Sequence, residues 1–157
     1  MSQPNPSLQK KSAARMSAVQ ELYSLAMTAE APDAERQVAA LKKQLTANKS
    51  EQKLRVGNAV EPNYPLMETI LSGVGEWQAQ IDVRLDSVLD KDWKRERMSP
   101  LLISILQCAI FELFFHKDTA PKIIIDEYTR LTRSFFGDGE VNFVHGALAG
   151  LSKKYHE

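Results

Sequence analysis

One cysteine, Cys108, in a chain of 157 residues excludes an internal disulfide and any cysteine-based zinc cluster. It lies in an apolar run, where a thiol behaves as a small buried hydrophobe. Neither sign of charge is in excess. Lys plus Arg and Asp plus Glu number 20 each, so net charge selects no partner, although a neutral chain still carries a basic face if its cations segregate. No apolar run is long enough for a membrane. The most apolar segment, Leu101 to Phe115, is about 15 residues where ~20 are needed, and it carries Gln107 and Glu112. The opening MSQPNPSLQKKS has no apolar stretch behind its charges and so is no secretory signal. The expectation is a cytoplasmic protein, for which the sequon Asn48-Lys49-Ser50 carries no meaning.

Strand patterning and phosphate-binding glycine loops are missing as well. No stretch alternates with period two, no internal repeat is visible, and no glycine-rich loop follows a strand. His116, His145 and His156 form no metal pair at helical spacing, and no nucleophile motif frames a serine. Asp126 and Glu127 are adjacent on a helix and point about 100° apart, so they do not face one substrate as acid and base. Catalysis, a metal and a cofactor are therefore not expected.

What is present is helical periodicity, in a composition (43% hydrophobic, 25% charged) suited to one domain with a real core. Residues 1–9 read as a disordered lead-in and 10–157 as one helical domain. From Ser12, the residues Met16, Val19, Leu22, Tyr23 and Ala26 form one stripe. Pro32-Asp33 ends that helix, and Asp33 caps a second running to about Thr46. Residues 47–63 read as a long polar loop holding Lys49, Lys53 and Arg55. Helical spacing returns with Leu66, Ile70, Leu71 and Val74 and continues through Trp77, Ile81, Leu85 and Val88, with Gly73 and Gly75 marking a kink or junction. A charged connection, 91–97, leads to Ser99-Pro100, a capping serine with proline at the first helical position. The apolar segment behind it is the central helix. Two more helices follow, about Pro121–Phe135 and Val141–Lys154, separated by a turn at 136–139. The fold expected is all-α, a single compact bundle of six to seven helices.

Two stretches carry a resemblance. In the first, Lys10-Lys11-Ser12-Ala13-Ala14-Arg15 runs into Ala18-Val19-Gln20-Glu21-Leu22-Tyr23. The second runs in order from Met98-Ser99-Pro100 through Phe111-Glu112-Leu113, Lys122 to Glu127 and Phe135-Phe136-Gly137, ending at Phe143-Val144-His145-Gly146. Between them lies Ile70-Leu71-Ser72-Gly73-Val74. Over about 110 residues this order resembles the NusB family of transcription antitermination factors, with its basic start, L-Y-E-L, K-V-x-I-N-E, F-G and F-V-N-G segments.

The resemblance implies an all-α fold and an RNA-binding adaptor. Such an adaptor takes boxA RNA together with NusE, a ribosomal protein, and seeds an RNA polymerase antitermination complex on ribosomal RNA operons. Carried over by position, it implicates Lys10, Lys11 and Arg15 as phosphate contacts, and Asn142, Phe143 and His145 at the RNA surface. Glu96, Glu112 and Asp126 fall where the family meets its protein partner. Several positions depart from the pattern. K-K-S-A-A-R stands where the family has a run of arginines, and lysine lacks arginine's bidentate fork. Asn142 replaces a frequent cation, and His145 replaces the asparagine of F-V-N-G.

Other readings of these residues stay open. Without the resemblance, the basic cluster describes a solvated helix start, and Phe143 is either a stacking platform or core. Glu112 either meets a partner or pairs internally. The competing class is a helical scaffold that binds protein without touching RNA. NusB-like domains also accompany RNA cytosine methyltransferases, but 157 residues leave no room for the α/β domain such an enzyme needs. Monomer and homodimer are both compatible with the sequence.

Overall fold

The computed structural model describes residues 5–31, 33–52, 60–89 and 94–155, and for 48–52 the backbone alone. Among these residues there are seven α-helices and no strand. They are α1 (Pro6–Thr28), α2 (Ala34–Gln52), α3 (Tyr64–Glu76), α4 (Gln78–Ser87), α5 (Pro100–Phe114), α6 (Pro121–Arg133) and α7 (Asp138–Tyr155), with a 3-10 turn at Arg95–Arg97 before α5. No helix among them is long and apolar enough to cross a membrane.

The centre of the bundle is α5. Its start is the one its sequence signals: Ser99 Oγ accepts from the Leu101 amide at 3.2 Å, and Pro100 takes the first helical position. Eleven of its residues are buried, from Leu102 to Phe114, because α1, α3, α4, α6 and α7 all pack on it. A helix apolar on every side needs neighbours on every side. The amphipathic helices supply them through single stripes, such as Ile124, Ile125, Tyr128 and Leu131 of α6 and Val144, Leu148 and Leu151 of α7.

Several boundaries differ from the sequence reading. Helix α1 begins at Pro6 rather than Ser12, so part of the expected lead-in is helical. Asn5 Oδ1 accepts from the Ser7 amide at 2.8 Å, a side-chain cap that the proline count concealed. Helix α2 continues to Gln52, six residues past the expected end, which shortens the loop assigned to 47–63. Residues 53–59 of that loop, with Lys53 and Arg55, lie outside the described residues. Helix α7 starts at Asp138, so the turn expected through residue 139 ends earlier.

Gly73 is not a kink. It sits inside α3, and a Cβ there would fall 2.0 Å from the Phe111 ring of α5. Its lack of a side chain lets α3 and α5 approach. The junction between α3 and α4 is Trp77, whose ring stacks on Phe115 with centroids 4.5 Å apart.

Candidate nucleic-acid interface

The three cations at the start of α1 share one helix and meet different fates. Lys10 is exposed, Lys11 is half-buried and Arg15 is buried at 3% exposure. Arg15 is the hub of a polar network inside the bundle. Its Nε donates to Glu112 Oε2 at 2.7 Å and its Nη2 to Glu112 Oε1 at 3.1 Å, a bidentate pair between α1 and α5. Its Nη1 lies 3.6 Å from Glu127 Oε2 on α6. Tyr128 donates to Glu112 Oε2 at 2.5 Å, and Ser12 Oγ donates to Glu127 Oε2 at 2.9 Å. Arg130 closes the outer side by pairing with Glu127.

Burial works against the Arg15 charge, but the hydrogen bonds and charge of Glu112, with Tyr128 and Glu127, outweigh it and raise its pKa. Burial first, and then the Glu112 charge, push the Tyr128 phenol well above its ordinary value and the nearby Cys108 thiol upward as well. A buried ion pair is sustained only when its remaining lone pairs and protons are satisfied; here Tyr128 donates to Glu112, Glu127 meets Arg15, and Ser12 in turn donates to Glu127.

This network corrects two sequence-based assignments. Arg15 does not face solvent as a phosphate contact, because its guanidinium is consumed by Glu112 inside the bundle. Glu112, 1% exposed, is not a surface contact for a partner; of the two roles left open, the structure has the internal pair. Glu96, in the 3-10 turn, and Asp126, on α6, are both exposed.

Around the network the surface is open. Lys11 and Arg15 of α1, Asn63 and Thr69 at the α3 side, and His116 and Asp118 after α5 border a groove of about 240 Å³. His116 stacks on Phe111 with ring centroids 5.8 Å apart, and its Nε2 lies 3.4 Å from Asp118 Oδ2. Lys10 borders a separate and larger groove, described below. The sequence offers His116 only as a metal-ligand candidate that finds no pair and does not mark Thr69 at all, because they join Lys11 only through tertiary packing and nothing local to them signals it.

On α7, Asn142 and His145 are exposed one helical turn apart, and Phe143 is half-buried against the core. A Cβ on Gly146, beside them, would meet nothing within 4 Å, so α7 is uncovered at this point. Helix α1 packs on α3 and α5, and α7 packs on α6 and α5. The two halves of the expected RNA surface are thus linked through α5 as their common neighbour.

Fold and site together define a class: a small all-α bundle with an ion-paired interior that presents lysines over open grooves at one helix start. Comparison with known proteins narrows the class. The model of the NusB family matches residues 12–153, and the chain belongs to that family. The transcription antitermination protein NusB of Gluconobacter oxydans is 28% identical over 153 residues, covering 98% of this chain and 92% of the relative. That of Sinorhizobium fredii is 28% identical over 152 residues, covering 97% and 91%. The NusB of Maricaulis maris is 34% identical over a shorter stretch of 89 residues, 57% of this chain and 56% of the relative. Among solved structures, Thermotoga maritima NusB superposes with a TM-score of 0.70 at 19% identity, covering 100% of this chain and 96% of its own, which carries the fold alone. Proteins of the NusB family are transcription antitermination factors and not enzymes.

Proposed function

We propose that this chain binds boxA-type single-stranded RNA together with the ribosomal protein NusE, in the cytoplasm, and so helps assemble an antiterminating RNA polymerase complex. The observation that carries the proposal is the start of α1. Lys10 and Lys11 stand at its surface beside open grooves, while Arg15, one turn on, clamps the same helix to α5 and α6. Two ammonium groups are thereby presented from a fixed backbone, which lowers the ordering cost of meeting a phosphate chain. The exposed Asn142 and His145 and the edge of Phe143 add hydrogen-bonding and stacking groups of the kind that read unpaired bases. Glu96 and Asp126, both exposed, are assigned to the NusE side.

The test is fluorescence anisotropy with a labelled boxA-type RNA and a scrambled RNA of equal length, each with and without NusE, at a salt concentration of ~0.1 M. Selective binding to the boxA sequence that tightens with NusE supports the adaptor. Weak and equal binding of both RNAs, unchanged by NusE, overturns it. A second reading rests on Arg15: with one of three expected cations turned inward, a scaffold that binds protein alone has fewer cations to explain. Binding of NusE without any RNA affinity would favour that scaffold.

A further inference from the structure

Lys10 and Lys11 are consecutive on α1, so their side chains diverge by about 100° around the helix. The structure separates them by a ridge. Asn63 and Pro65, at the start of α3, line the 240 Å³ groove on the Lys11 side and also a larger groove of about 550 Å³ on the Lys10 side. The ridge is fixed in place. The Asn63 amide donates to the Lys10 carbonyl at 2.9 Å, and Asn63 Oδ1 caps α3 by accepting from the Leu66 amide at 3.0 Å.

The larger groove has a second cation that does not come from α1. Lys42, on α2, lines it, with its Nζ 5.5 Å from the centroid of the Tyr64 ring. That position depends on the length of α2. A helix ending near Thr46 would leave Lys42 in its fraying last turn, whereas continuation to Gln52 places it well inside a regular helix. One carboxylate, Glu61, is among the lining residues, so the lining carries two positive charges against one negative.

We infer that the groove between α1 and α2 is a second phosphate subsite for single-stranded RNA, with Lys10 and Lys42 as its cations. This rests on the RNA-binding reading above and extends it. A strand lying along the Lys11 groove crosses the Asn63–Pro65 ridge and places a flanking phosphate between Lys10 and Lys42. The subsite reads backbone charge and no base identity, so it lengthens the bound RNA without changing its sequence preference. It also restores part of the cationic surface that the turned-in Arg15 withholds.

The test compares a core boxA-type RNA with the same RNA extended by several nucleotides at either end, titrated against the full chain with NusE at several salt concentrations. For the wild type, one extended RNA binds more tightly than the core. For Lys42→Ala that advantage falls about fivefold and the salt slope becomes shallower by about 0.7, the loss of one single-strand phosphate contact. Lys42→Glu abolishes the advantage, Lys42→Arg retains it, and Lys43→Ala, exposed on the same helix but outside the groove, leaves it unchanged. Wild-type binding of the boxA-type RNA with no advantage for either extension, or with an advantage untouched in Lys42→Ala and Lys42→Glu, overturns the subsite while the RNA-binding reading stands. Failure of the wild type to bind any of these RNAs removes both.

Discussion

Arg15 and the pair Lys10-Lys11 belong to one short basic segment of one helix, yet they serve opposite ends. Lys10 is exposed and Lys11 half-buried, each beside a groove; the arginine sits among Glu112, Glu127 and Tyr128. Helical phase sets Lys10 apart, because it lies off the stripe of Ala14, Arg15, Ala18, Val19 and Leu22 that faces the core. Lys11 shares the phase of Arg15 but lies one turn nearer the start of α1, where it borders an open groove and is only half-buried. Chemistry then suits each place. A planar guanidinium matches a carboxylate with two parallel hydrogen bonds and tolerates burial, whereas an ammonium is better left hydrated. A charge cluster in sequence is thus not a charge cluster in space, and one member of it holds the platform on which the others stand.

The sharpest way to break this contrast is Arg15→Ala. It leaves Glu112 buried without its partner, and the expected loss is about 3–5 kcal/mol of stability, read as a lower denaturant midpoint. Replacing both partners, Arg15→Met with Glu112→Leu, should recover most of that loss, because apolar groups of similar volume leave no uncompensated charge. If Arg15→Ala unfolds at the wild-type denaturant concentration, the network is not holding α1.

Gly73→Ala probes the packing on α5 from its apolar side, at the contact with α3. Its Cβ must displace the buried Phe111 ring, at an expected cost of about 2 kcal/mol by thermal or chemical unfolding. An unchanged melting temperature would mean that the two helices slide apart freely.

Alkaline pH separates the buried network from the exposed lysines in another way. The phenol of Tyr128 has a raised pKa in the folded state, so its contribution is intact below its ordinary value of 10.0 and is lost as pH climbs above that. Cys108 acts with the same sign from its ordinary 9.0 upward. Stability should therefore fall above about pH 9, with each group steepening the slope by at most ~1.4 kcal/mol per pH unit, and Tyr128→Phe should flatten the fall above pH 10. Equal slopes in Tyr128→Phe and wild type would contradict the assignment.

The lysines should show the reverse profile. Lys10→Ala with Lys11→Ala is expected to change stability by less than about 0.5 kcal/mol while weakening RNA binding roughly tenfold and flattening its salt dependence. An unchanged salt slope would remove them from the interface. The smallest effect belongs to the far end of α1, where Ala29 closes the helix at a φ of 57°. A left-handed residue with a Cβ is strained, so Ala29→Gly should stabilise by about 0.5 kcal/mol in the same unfolding assay.

Much of the fold was legible along the chain. The Ser99-Pro100 signal, the all-round apolarity of α5 and the single stripes of α6 and α7 each rest on neighbours within one or two turns, and all appear where the periodicity puts them. The misplaced features have physical causes too. Asn5 as a cap was masked by the flanking prolines, and the polar composition after Thr46 hid the last six residues of α2, a helix that packs on α3. Gly73 and Gly75 mark a kink or a junction in the sequence, and the junction follows at Trp77, but the demand for space at Gly73 comes from Phe111, thirty-eight positions along the chain. At the site, the sequence located the basic start of α1 but did not sort its members.

By itself, then, the sequence determined the helical class, the central helix, the family and the stretch of α1 that carries the cations, because periodicity, caps and residue order are local properties. The tertiary structure alone decided that Arg15 and Glu112 turn inward together, that His116 and Thr69 border the Lys11 groove, and that Lys42 and Lys10 line one groove with the start of α3. These pairings join residues 97, 105 and 32 positions apart, and which of them meet is settled by how whole helices pack.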